Sequence, residues 1–93
     1  MKVEFVSLAK QELAKAALYY EKQVPGLGSD FLDEVEATRN KIKKNPKAWA
    51  LVSKELRRCR LRRFPYGLIY EIYEDKILIL SVMHLHRGPS DNL

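Results

Sequence analysis

Two long amphipathic segments joined by a very short break constrain the fold of this chain more than any other feature. Apolar residues recur at helical spacing over residues 8 to about 23 and again over residues 29 to about 44. Only Pro25-Gly26-Leu27-Gly28 lies between them, and proline and glycine end helices. We therefore predict two helices in an antiparallel hairpin, with Ser7 and Ser29 as their N-caps.

The other segments have the patterns of strands. Three segments have the alternation or the flanking turn residues of strands: residues 2–6, 56–64 and 66–73. Residues 77–86 form a last strand, which is apolar on both faces. Such a strand lies inside a sheet, so the N-terminal strand should pair with its second side. We predict one α+β domain over residues 1–93, in the order β-α-α-β-β-β. Its four-stranded, mainly antiparallel sheet carries the antiparallel helical hairpin on one face.

Positive charge is concentrated in residues 54–63. This stretch holds six of the 17 lysines and arginines and one of the 12 acidic residues, so its local charge of +5 equals that of the whole chain. In a strand, Arg58, Arg60 and Arg62 share one face while Cys59 and Leu61 point into a core. Such a row attracts an anion, either nucleic acid or an acidic segment of a partner protein. The alternative is that basic residues protect an edge strand from aggregation.

Several classes of protein are disfavoured by composition. The single Cys59 cannot form an internal disulfide, which favours a reducing cytoplasm. The start of the chain does not read as a signal peptide, and no apolar run approaches the length of a membrane span, so we expect no membrane association. His84 and His86 lack an evident third ligand, so we expect no metal site, and no motif calls for a cofactor.

The order and spacing of several short motifs resemble toxins of the RelE/ParE superfamily over nearly the whole chain. The motifs are Leu13-Ala14-Lys15-Ala16-Ala17-Leu18-Tyr19-Tyr20-Glu21, Pro25-Gly26-Leu27-Gly28 with Phe31, Asn45-Pro46, Arg57-Arg58, Phe64-Pro65-Tyr66 with Ile69-Tyr70, and His84-Leu85-His86-Arg87-Gly88-Pro89. The resemblance implies the fold predicted above. It also implies the growth-arresting toxin of a type II toxin–antitoxin module of the plasmid stabilisation type, with a cognate acidic antitoxin as partner.

The superfamily contains two activities, and the resemblance leaves both open. RelE-like members are ribosome-dependent mRNA endonucleases, whereas ParE-like members inhibit DNA gyrase. If the chain is a nuclease, the candidate catalytic residues are Arg62, His84, His86 and Arg87, since RNA cleavage needs a base, an acid and cations. The tail after Arg87 lacks the late aromatic residue of RelE-like enzymes, and the long helices and their connection look ParE-like. We favour gyrase inhibition; a non-toxic nucleic-acid-binding module is a third hypothesis.

The same sequence also yields a set of expected contacts to the antitoxin or the target. Tyr19 falls outside the apolar stripe of the first helix, so its ring is free to form an interaction surface. Arg87 corresponds to the late arginine of the family, and its alternative is an ion pair within the fold. The expected binding residues are Arg58, Arg60, Arg62, Arg63, Arg87 and Tyr19.

Overall fold

The computed structural model describes residues 1–86, and within them it contains two helices and five strands. The elements are β1 Lys2–Phe5, α1 Ser7–Gln23, α2 Leu27–Lys44, β2 Ala50–Leu51, β3 Leu56–Arg60, β4 Tyr66–Tyr73 and β5 Lys76–His84. The α+β class and the order of the six predicted elements are confirmed, and β2 is an addition to them. Over these 86 residues neither helix has the length and apolar character needed to cross a membrane.

The sheet has the strand order β1-β5-β4-β3-β2. β1 pairs parallel with β5, and the other neighbours pair antiparallel. β5 lies between β1 and β4 as its apolar pattern predicts, and its residues Ile77 and Ile79 are fully buried. β3 was expected at the edge of the sheet. It differs from that expectation because β2 covers its first half, pairing Ala50 with Arg58 and Leu51 with Arg57.

Three of the predicted strands end earlier in the structure, and β1 ends at Phe5, one residue early. β3 ends at Arg60 because the chain turns before Pro65: the N–H of Leu61 donates to the carbonyl of Tyr66 (2.9 Å), and the N–H of Tyr66 donates to the carbonyl of Phe64 (2.7 Å). β5 ends at His84. Residues 62 and 63 therefore belong to a turn and not to a strand face.

The start of α2 is held by a side chain of α1. The carboxylate of Glu21 accepts hydrogen bonds from the N–H groups of Gly26 (3.0 and 3.1 Å) and Gly28 (3.0 Å). An anion in this position satisfies donors that a helix N-terminus leaves unpaired, and it complements the helix dipole. Gly26 has φ 91°, a left-handed conformation that glycine adopts without strain.

The predicted serine caps are wrong. α1 begins at Ser7 itself, with Val6 as the N-cap, and α2 begins at Leu27, two residues before Ser29. Neither N-cap residue makes a side-chain capping bond. At α2 the carboxylate of Glu21 supplies the acceptor that we expected from a serine hydroxyl.

Aromatic rings join the helical hairpin to the sheet. The ring of Phe31 in α2 lies 5.1 Å from the rings of both Phe64 and Tyr66, and the ring of Tyr20 in α1 lies 4.8 Å from that of Phe64. These centroid distances suit edge-to-face packing, which stabilises beyond simple burial of area. The cluster fixes the turn between β3 and β4 against both helices.

The connection from α2 to β2 is held by two side chains of the sheet. The hydroxyl of Tyr70 donates to the carbonyl of Pro46. The guanidinium of Arg57 donates to the carbonyls of Lys47 (3.2 Å) and Trp49 (2.7 Å). Trp49 is partly buried and packs against the core. Arg57 therefore has a structural role.

A carboxylate covers the part of β5 that extends beyond the end of β1. β1 ends opposite Ile79, so the rest of β5 has no strand on that side. There Oε1 of Glu12 accepts hydrogen bonds from the N–H of Val82 and the hydroxyl of Ser81, both at 2.9 Å. The side chain of Glu12 thus replaces a missing strand partner and covers an edge that would otherwise attract other chains.

Gly28→Ala should destabilise the hairpin. A Cβ on Gly28 would lie 2.6 Å from the main-chain oxygen of Ala17 and 3.0 Å from Cβ of Glu21, so α1 and α2 must move apart. We expect a loss of about 1–3 kcal/mol in the free energy of unfolding, the usual cost of overpacking. Urea denaturation measures it, with the exposed neighbour Ser29→Ala as the matched control. A variant as stable as that control would show that the close approach is not required.

Tyr70 should make the fold sensitive to alkali. Burial, partly offset by the charge of Arg57, raises the pKa of Tyr70 from its ordinary value near 10 to about 12. The folded state therefore holds this proton more tightly than the unfolded state, and the free energy of unfolding should fall as pH rises from 10 to 12. Burial also raises the pKa of Cys59, which adds a decline of the same sign from about pH 9.

The comparison of two tyrosines on β4 tests this linkage. Tyr70→Phe should be less stable at neutral pH, because the bond to Pro46 is lost, but its stability should fall less steeply above pH 10. Tyr73→Phe, which alters an exposed ring, should keep the steep decline of the wild type. Urea unfolding from pH 8 to 11.5 gives the slopes, and equal slopes for all three proteins would contradict the assignment.

Candidate functional site

Arg58 and Arg60 lie on the face of β3 that the helices leave open. Cys59 between them is 2% exposed and points into the core, so the two arginines point the other way. Arg58 is half-buried and Arg60 is exposed. The predicted shared face is confirmed for these two residues. Arg62 is exposed as well, but it lies in the turn after β3.

Arg63 is different because α2 neutralises it. Its Nη2 lies 3.6 Å from Oδ2 of Asp30 and its Nε lies 4.0 Å from Oε1 of Glu34. Its main-chain N–H also donates to that oxygen of Glu34 (2.9 Å), and its guanidinium carbon lies 5.5 Å from the centre of the Phe64 ring. Exposed ion pairs stabilise weakly, but these contacts give Arg63 a role in holding the turn to α2.

Three arginines of the basic stretch remain without such partners. Within residues 1–86 no carboxylate lies in ion-pair distance of Arg58, Arg60 or Arg62, and none of the three donates to a main-chain carbonyl. We call them the unpaired arginines. They form a local concentration of positive charge that an anionic partner can neutralise.

His84 and His86 do come together, on the other side of the sheet. His84 pairs with Tyr66 in the register of β4 and β5, and their rings pack edge to face at 5.0 Å. The ring of Tyr66 contacts Phe31 of α2, so His84 lies on the helix side. The ring of His86 lies 5.8 Å from that of His84. Arg58 and Arg60 are therefore separated from both histidines by the sheet.

The geometry at His84 does not present a ready general base. The main-chain N–H of His86 donates to Nδ1 of His84 (3.2 Å), which uses the lone pair of that nitrogen. In the neutral ring the proton then resides on Nε2, which acts as a donor. Arg62 follows β3 at the end of the sheet where His84 ends β5. Arg87, the fourth residue of the candidate nuclease set, lies outside the described residues. Among residues 1–86 no three His, Cys, Asp or Glu side chains group to hold a metal ion.

Tyr19 is exposed on α1, as its position outside the apolar stripe predicts. Its side chain is 53% exposed, and its ring touches that of Tyr20 edge to face at 5.4 Å. The other large exposed apolar residues at the helix are Leu8, Leu18 and Val24. Such exposure is typical of a contact surface. Its role in binding stays a prediction.

Cys59 has the environment of a structural thiol. Burial raises its pKa above the ordinary value, and the charge of Lys41 offsets only part of that effect. The group therefore stays protonated at neutral pH and packs as a small apolar residue. The neighbouring arginines do not activate it.

Two residues that shape the arginine-rich region were not predicted from the sequence. Arg57 belongs to a motif, but nothing in its sequence context distinguishes it from Arg58. Gly67 is the second residue of β4, and an isolated glycine in a strand often marks the close approach of another group. That signal was present in the sequence, and in the structure the side chain of Arg58 lies against Gly67.

Comparison with known proteins agrees with the fold and the motifs. The sequence pattern of the family described as ParE toxin of type II toxin-antitoxin system, parDE, matches residues 3–88. No curated protein matches the chain as a relative. The fold is similar to a chain of the solved structure titled "Chromosomal ParDE TA system from P. aeruginosa", with a TM-score of 0.82, 14% identity, and coverage of 92% of this chain and 97% of that one. Because the family pattern spans nearly the whole sequence, the chain belongs to the ParE family and is a toxin of a type II toxin–antitoxin system.

Proposed function

We propose that this toxin acts in the cytoplasm by binding DNA gyrase, as a macromolecular inhibitor and not as a nuclease. The observation that carries the proposal is the geometry at His84, a member of the candidate nuclease set, whose Nδ1 already accepts the main-chain N–H of His86 (3.2 Å). Arg58 and Arg60, the two unpaired arginines on β3, lie on the opposite face of the sheet from His84, so they do not serve as cations beside it. Cleavage of RNA needs the base and the cations around one phosphoryl group. Inhibition by binding makes no such demand.

The unpaired arginines are the proposed contact for the acidic segment of the cognate antitoxin. Their charges lack partners within the described part of the fold, so an acidic segment that lies across them gains charge-assisted hydrogen bonds. An added strand cannot run along the whole of β3, because β2 already occupies the outer edge opposite Arg57 and Arg58. Only the outer side of Arg60 remains open to a strand. The arginine side chains, more than the backbone, would then hold the antitoxin.

Replacing the unpaired arginines should weaken the toxin–antitoxin complex in a salt-dependent way. The variant Arg58→Gln, Arg60→Gln, Arg62→Gln should associate more slowly and dissociate faster, because steering and close charge pairs are both lost. Its affinity should also depend less on salt concentration than that of the wild type. Biosensor kinetics at several salt concentrations measure both effects.

A matched triple variant separates local charge from net charge. Lys10 of α1 and Lys43 and Lys44 of α2 are exposed and lie outside the basic stretch. Replacing these three by Gln removes the same total charge. It should reduce association slightly and leave the dissociation rate unchanged. Equal losses in the two triple variants would contradict a specific role for the unpaired arginines.

Assays of the two candidate targets should give opposite results. We expect purified toxin to inhibit supercoiling of plasmid DNA by gyrase and to leave transcripts on translating ribosomes uncut. His84→Gln and His86→Gln should reduce gyrase inhibition, if at all, by the same factor at pH 6 and pH 8, because no proton is transferred. Arg87→Ala should then lower potency only through lost contact.

The alternative activity predicts a different pattern. A nuclease would cut mRNA on the ribosome, lose at least about a hundredfold in rate in Arg87→Ala, and change its pH profile in the histidine variants. Cleavage of ribosome-bound mRNA by the wild type, with no effect on gyrase, would overturn the proposal. A non-toxic binding module would show neither effect and would not arrest growth.

A further inference from the structure

Gly67 has no side chain on the open face of the sheet, and the side chains of Arg58 and Leu85 lie close to its backbone there. A Cβ built on Gly67 would lie 3.1 Å from Cγ and 3.3 Å from Cδ of Arg58, and 3.1 Å from Cδ2 of Leu85. In the strand register Arg58 pairs with Ile69, while Gly67 pairs with Arg60. The stem of Arg58 therefore runs diagonally across β4, a reach that long side chains achieve between neighbouring strands.

The position of this stem distinguishes Arg58 from the other unpaired arginines. Arg58 is half-buried, whereas Arg60 and Arg62 are exposed. A long side chain that already lies against the protein loses less conformational freedom when it binds a partner. The diagonal path also places the stem of Arg58 against Gly67, the register partner of Arg60, so the two arginines use neighbouring parts of the open face.

Folding alone gives no reason for a glycine at this position. Glycine in the interior of a strand lowers stability through its conformational entropy and its lack of a packing side chain. The three atoms nearest to the built Cβ belong to side chains, and only Arg58 and Leu85 would have to shift by a few tenths of an ångström. At Gly28, by contrast, the obstacle is the main chain of Ala17.

We propose that Gly67 is a positioning residue for partner binding. Its missing side chain lets Arg58 lie across β4, and this makes Arg58 the main anchor for the acidic segment of the antitoxin. The inference rests on the proposed contact between the unpaired arginines and that segment. Arg60 and Arg62 then act mainly by long-range attraction, which speeds association and has little effect on dissociation.

A double-mutant cycle tests the link between Gly67 and Arg58. The four proteins are the wild type, Gly67→Ala, Arg58→Ala and the double variant, each measured for dissociation from the cognate antitoxin on a biosensor. Arg58→Ala should speed dissociation about tenfold or more, as expected when a charge-assisted hydrogen bond is lost. Gly67→Ala should produce a smaller increase of the same sign, because its Cβ displaces the stem of Arg58 by only a few tenths of an ångström. The double variant should match Arg58→Ala, because the glycine acts only through the arginine.

Two control measurements separate positioning from loss of structure or charge. Gly67→Ala should melt at or slightly above the temperature of the wild type, because alanine suits a strand better than glycine does. It should also elute from immobilised heparin at the same salt concentration as the wild type, since its net charge is unchanged. Arg58→Ala should elute earlier, as should Lys10→Ala, which removes one exposed charge from α1. Lys10→Ala should leave dissociation of the antitoxin unchanged.

The outcomes distinguish this inference from the proposed function. Faster dissociation of Arg58→Ala together with a wild-type rate for Gly67→Ala would overturn the positioning role and leave the role of the arginines intact. Effects that multiply in the double variant would overturn it as well, because Gly67 would then act independently of Arg58. A wild-type rate for both Arg58→Ala and the triple glutamine variant would remove the proposed arginine contact, and the inference with it.

Discussion

The contact between Glu21 and the glycine loop is the constraint on which the rest of the fold depends. It sets the first residue of α2, and the close approach of Gly28 to α1 sets the distance between the helices. Only with α2 in that position does Phe31 reach the rings of the sheet. The same placement brings Glu34 to the turn after β3, where it accepts the N–H of Arg63. The contact at the tip of the hairpin thus helps to place the carboxylates of α2 that bind Arg63.

Side chains complete both margins of the sheet. Glu12 binds the main chain of β5 where β1 ends, and Arg57 holds the connection that leads into β2. Glu12 replaces a strand partner directly, whereas Arg57 acts through β2 by holding the residues that precede it. Because β2 covers only the first half of β3, the margin left open is at Arg60. The open backbone of β3 therefore lies beside the unpaired arginines. An extended acidic segment could form main-chain hydrogen bonds and ion pairs there at the same time.

Much of this fold follows from local patterns, and its exceptions have a common cause. Apolar residues on both faces of β5 predicted its interior position, and Pro65 marked the start of β4 at Tyr66. The N-caps were mispredicted because a carboxylate from the preceding helix does at Gly26 what Ser29 was expected to do. β2 has two residues, too few for any period to appear. In both exceptions the deciding feature does not show in the local periodicity: it is a carboxylate of the preceding helix in one case and a strand of only two residues in the other.

The same limit applies to the candidate site. Alternation predicted the shared face of Arg58 and Arg60, but a count of charges could not separate them from Arg63. Arg63 differs from Arg58 and Arg60 because carboxylates of α2 lie within ion-pair distance of it. Glu12, Glu21 and Glu34 all accept main-chain N–H groups, so three of the 12 acidic residues stabilise the backbone at an edge, a helix start and a turn. Acids used in this way are not available to the open face. The register places one further carboxylate, that of Glu71, on the open face opposite Leu56, and it is not in ion-pair distance of the unpaired arginines. Within residues 1–86 the positive charge of Arg58, Arg60 and Arg62 is therefore not neutralised, and an acidic partner can supply the carboxylates that do so.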